Sequence, residues 1–70
     1  MIEADVTAMV RGVIVDRGLP FVVLSVAPVP AGWNIRVRAN HSGTVVTIAI
    51  PDGRPSAMRV AIEERLEAAD

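Results

Sequence analysis

The sequence predicts an α+β domain of order α-β-β-β-α, a three-stranded antiparallel meander with two helices packed on one face. Three observations predict it. Twelve valines and six isoleucines dominate the apolar residues, and β-branched side chains fit a pleated, half-buried surface. Apolar residues recur at helical spacing near both ends of the chain. Between them, two segments alternate apolar and polar residues and are joined by turn residues.

The first element runs from Ile2 to Gly18. Ile2, Val6, Met9, Val10 and Val13 fall on one helical stripe, with Ala4, Thr7 and Arg11 opposite. Glu3 and Asp5 near its start and Arg17 near its end each complement the helix dipole. Gly18 followed by Leu19-Pro20 is a stop signal, because glycine takes the left-handed position and proline cannot continue the turn. Gly12 is the weak point of this helix.

Phe21 to Val29 reads as a strand. Its alternate sets are Val22, Leu24, Val26 and Phe21, Val23, Ser25, Ala27; neither is polar, so periodicity alone does not choose the inner face. Pro28 and Pro30 lack ladder donors and assign this strand to an edge. Val29-Pro30-Ala31-Gly32 is a turn.

Trp33 to Asn40 alternates cleanly. Trp33, Ile35, Val37 and Ala39 share one face, and Asn34, Arg36, Arg38 and Asn40 the other. Asn40-His41-Ser42-Gly43 supplies turn chemistry before the next strand, Thr44 to Ile50. There Val46, Ile48 and Ile50 point inward, and Val45, Thr47 and Ala49 outward. Pairing Ala39 with Thr44 matches Val37 to Val46, Ile35 to Ile48 and Trp33 to Ile50; a one-residue slip would invert the whole set. Pro51-Asp52-Gly53 ends the strand, and Pro55 suits the first turn of a helix reaching Ala69. Its inner stripe is Met58, Ala61, Ile62, Leu66 and Ala69; Arg59, Glu63, Glu64 and Glu67 face water, with Arg59 and Glu63 spaced to pair.

Composition bounds function. Residues 1–70 read as a single small domain without repeats or a linker. Eight acids against seven bases argue against a strongly basic nucleic-acid domain. The absence of cysteine removes disulfides, thiolate metal sites and thiol nucleophiles, and does not imply secretion. No apolar run reaches the roughly 18 residues of a membrane span, and no basic segment followed by an apolar one opens the chain. A cytoplasmic, non-membrane domain is the expectation.

No catalytic constellation emerges. His41 is the sole histidine, set in a turn without a second ligand or base, and reads as an ordinary turn residue. The five glycines are scattered singles rather than a phosphate loop. Neither a cofactor nor a metal is expected. Trp33 shares parity with Ile35 and Val37, which favours a core anchor over a base-stacking platform.

Two helices cover only one sheet face. The other should carry Asn34, Arg36, Arg38, Asn40, Val45, Thr47 and Ala49, together with Phe21, Val23 and Ser25 from the first strand. This face, with Phe21, Val23, Asn34, Arg36, Arg38, Val45 and Thr47 as candidate contacts, predicts a non-catalytic interaction module that binds a protein partner or self-associates, through this face or through the strand from Phe21. All seven bases are arginine, the residue suited to bidentate contact with carboxylate or phosphate. A weak RNA-binding domain using Arg36, Arg38, Arg54 and Arg59 is the alternative. A subunit whose active site another chain completes is a third reading, with His41 its only named candidate.

In element order the chain resembles double-stranded-RNA-binding domains. Those carry a lysine-rich motif opening the last helix and a Gly-Pro-x-His type loop between the first two strands. The corresponding stretches here, Arg54-Pro55-Ser56-Ala57-Met58-Arg59 and Val29-Pro30-Ala31-Gly32, lack the lysines and the histidine. The layout is also similar to small toxin ribonucleases, which depend on a Gly-Ser-His motif; Asn40-His41-Ser42-Gly43 holds those residue types in another order. Both resemblances are of topology, and no site residue is carried over.

Overall fold

A computed structural model describes residues 2–70. The order is α1 (Glu3–Arg17), β1 (Phe21–Val29), β2 (Gly32–Ala39), β3 (Val45–Pro51) and α2 (Pro55–Ala69). The sheet is an antiparallel meander of order β1-β2-β3.

Local chemistry sets the boundaries. Ile2 is extended and caps α1, its N–H donating to Asp5 Oδ2 at 3.2 Å, which satisfies one group at the helix start. Gly18 adopts φ 60°, and the Leu19 N–H returns to the Ile14 carbonyl at 3.0 Å, closing the helix end. In α2, Pro55 occupies the first turn.

The β2–β3 register is the expected one: Val37 faces Val46, Ile35 faces Ile48 and Trp33 faces Ile50. The Ala39 N–H donates to the Thr44 carbonyl at 2.9 Å where the hairpin closes. β1 joins β2 through Pro30-Ala31, with Val29 opposite Gly32. Gly32 has φ 154°, and a Cβ there would lie 2.1 Å from the Ile50 carbonyl oxygen, so the middle strand can start so close to β3 only with glycine.

β1 differs from expectation. Val23 pairs with Val37, but Ser25 pairs with Arg36, so Leu24 is an extra residue forming a bulge. The bulge reverses side-chain parity midway along the strand. Phe21 and Val23 before it, and Val26 after it, all face the helices; Val22, Leu24, Ser25 and Ala27 face away. The expectation that Phe21 and Val23 lie on the open face is therefore corrected. Phe21 is a core residue, 4% exposed, and Val23 is packed against the core.

Both helices lie on one face, α1 over β1 and α2 over β3. The core is entirely apolar: Val6, Val10 and Val13 from α1, Met58, Ile62 and Leu66 from α2, and Phe21, Val26, Trp33, Ile35, Val37, Ile48 and Ile50 from the sheet. Trp33 is in that core, with its indole N–H 3.4 Å from Asp52 Oδ1. Of the other expected stripe residues, Met9 and Ala61 are partly buried against this core, and two are exposed. Ile2 sits before the helix rather than in it and is exposed, and Ala69 in the last turn of α2 is exposed.

Candidate functional site

The uncovered sheet face is built by alternation. β2 runs down its middle and presents Asn34, Arg36 and Arg38, since its other residues, Trp33, Ile35 and Val37, are buried beneath the helices. The register then fixes the neighbours. Arg38 lies between Val22 and Val45, Arg36 between Ser25 and Thr47, and Asn34 between Ala27 and Ala49. Asn34 is half-buried, whereas Arg36, Arg38, Val45 and Thr47 are exposed.

Charge is segregated by layer. The three strands contain two arginines and no acidic residue, so every carboxylate lies on a helix, at a helix flank or in the loop before α2. The rest of the chain holds five bases against eight acids. Among the described residues Arg36 and Arg38 take part in no ion pair. Beside them stand three large exposed apolar side chains: Val22, 42% exposed, Leu24, 43%, and Val45, 45%. Two free guanidinium groups among aliphatic side chains can grip a carboxylate-bearing surface bidentately while apolar contacts exclude water.

The four arginines of the nucleic-acid alternative are not brought together. Arg36 and Arg38 share the open face, while Arg59 lies in the helix layer on the far side of the sheet and bonds Asp16 and Glu63. These bonds, Asp16 first, hold the Arg59 guanidinium above its ordinary pKa. Arg17 bonds Glu63 and, at 3.3 Å, Glu67, completing a five-residue network between α1 and α2. Arg54 is exposed in the loop that opens α2.

Of the expected contacts, the structure gathers Asn34, Arg36, Arg38, Val45 and Thr47 on one face and removes Phe21 and Val23. Sequence reasoning missed Val22 and Leu24. The sequence held no signal for them, because the facing of Phe21 is seen only in the observed register: pairing Val29 with Gly32 carries Val26 inward opposite Ile35, while Phe21 is the inward residue at the other end. Those parities conflict unless one residue is inserted between them.

Elsewhere, His41 is exposed at the tip of the β2–β3 hairpin. Among the described residues no three histidine, cysteine or carboxylate side chains cluster as metal ligands. A concavity of about 450 Å³ follows Glu3, Ala4, Thr7, Ala8 and Arg11. All five belong to α1, so no groups from separate elements converge there. Among the described residues no helix is long and apolar enough to cross a membrane. No family model, no curated protein and no solved structure matches the chain.

Proposed function

We propose that the protein is a non-catalytic interaction module that binds an acidic protein surface through its open sheet face, in a reducing compartment such as the cytoplasm. One observation carries this reading: Arg36 and Arg38 stand on a face without a carboxylate, bordered by exposed Val22, Leu24 and Val45. Uncompensated charge beside aliphatic side chains suits a partner offering carboxylates together with apolar contact.

Magnitude separates this reading from RNA binding. Phosphate-driven affinity accumulates over roughly 6–10 contacts in well-characterised binders, each contributing to a steep salt dependence. This face offers two arginines, and Arg59 is held in ion pairs on the other layer. Two phosphate contacts leave little affinity at physiological salt.

The test is a titration of the protein with an Asp/Glu-rich peptide containing leucine, and in parallel with a double-stranded RNA. The reading predicts saturable peptide binding that Arg36→Glu abolishes and Leu24→Ser weakens. RNA binding that falls with Arg36→Glu but ignores Leu24→Ser, with no peptide binding, would establish the alternative instead.

A further inference from the structure

We propose that the outer edge of β3 pairs with the same edge of a second copy, about a two-fold axis at Thr47, joining two three-stranded sheets into one of six. The order β1-β2-β3 leaves two sheet edges, and they are not equivalent. β1 is obstructed by the bulge at Leu24, by Pro28 within the strand and by Pro20 and Pro30 at its ends. These features block strand addition. β3 is less obstructed: Pro51 is its last residue, and from Val45 to Ile50 it contains no charge, no proline and no break in register.

The hydrogen-bond pattern identifies the free groups. The Ala39 N–H donates toward β3, to the Thr44 carbonyl at 2.9 Å, while the Asn40 N–H donates toward β1, to the Pro20 carbonyl at 2.8 Å. Alternate residues of an antiparallel strand bond to opposite sides, so Val46, Ile48 and Ile50 bond to β2. The backbone N–H and C=O groups of Val45, Thr47 and Ala49 are directed to the outer edge.

That row is self-complementary. Antiparallel pairing about Thr47 sets Thr47 against its own counterpart and Val45 against Ala49, with no charged pair at the seam. Arg36 stands one strand back from β3, so its counterpart lies three strand spacings away, about 14 Å, beyond the screening length of roughly 8 Å at physiological salt. Arg59, Glu63 and Glu67 turn one flank of α2 toward Asp16 and Arg17 of α1. The opposite flank, on the β3 side, carries the small Ala57, Ala61 and Ala68 together with the longer Glu64 and Arg65, one acid and one base in each copy.

The experiment is sedimentation of the whole chain over a concentration series, with amide hydrogen exchange on the same samples. The inference predicts a monomer–dimer equilibrium in which the Val45, Thr47 and Ala49 amides slow by about tenfold once nine-tenths of the protein is dimeric, because they exchange only from the monomer. Thr47→Lys, which sets two like charges at the axis, abolishes the dimer; Arg36→Glu leaves it intact, which separates this edge from the open face. A chain monomeric to millimolar concentration, or a dimer whose three amides exchange as freely as in the monomer, overturns the inference. The amide measurement on unaltered protein decides the matter even if Thr47→Lys fails to fold.

Discussion

Two glycines respond in opposite ways to the same added methyl group. Gly32 has a backbone conformation that side chains rarely adopt, and a Cβ there would collide with the Ile50 carbonyl, the Pro51 Cα and the Asp52 nitrogen. All three are backbone atoms and cannot swing aside. Gly32→Ala should therefore cost about 3 kcal/mol or more, read as a fall in the urea midpoint. Gly12 is helical, and nothing lies within 4 Å of a Cβ built on it. Gly12→Ala should stabilise by about 0.5–1 kcal/mol, raising the midpoint. A Gly12→Ala variant less stable than the parent would contradict the open surroundings described for α1.

Among the elements, β2 is hydrogen-bonded on both edges, and its Trp33, Ile35 and Val37 are buried in the core. Ile35 is fully buried at its centre, whereas Ile48 on β3 keeps 6% exposure. Truncation of a buried isoleucine to alanine costs about 2–5 kcal/mol, and Ile35→Ala should fall higher in that range than Ile48→Ala. Chemical denaturation of both variants orders them. The helix pair is held differently. Glu63 accepts from Arg17 and Arg59 together, so Glu63→Gln should lower the thermal midpoint at low ionic strength, with the deficit shrinking as salt rises. Arg59 adds no pH dependence near neutrality. Its folded-state pKa is raised, so the stabilisation it brings is complete below the ordinary arginine range and is lost only above it. β2 and β3 were legible from sequence because one face is wet and the other dry, which fixes Trp33 against Ile50 and Ile35 against Ile48. β1 was legible as a strand but not in its facing. Its exposed positions include Val22 and Leu24, which hydrophobicity cannot distinguish from buried ones, and the bulge reverses parity between Val23 and Val26. The contacts of Asp16 and Arg17 with α2 depend on how the two helices lie together, which neither helix encodes alone.

For the molecule as a whole, the per-residue norm gives a stability of about 3–10 kcal/mol. A chain of 70 residues therefore has little margin, and either the Gly32→Ala or the Ile35→Ala variant could unfold much of the population. Two helices over three strands leave one sheet face to solvent, and no acidic residue lies within the strands to neutralise its arginines. The candidate site follows from that geometry: Asn34, Arg36, Arg38, Val45 and Thr47 were readable because their strands alternate, and Val22 and Leu24 emerge only with the bulge. The most direct test is an amide chemical-shift map recorded as the acidic, leucine-containing peptide is added to labelled protein. The account predicts perturbations confined to Val22, Leu24, Arg36, Arg38, Val45 and their sheet neighbours, with α1 and α2 unmoved. Perturbations centred on the helices would contradict it.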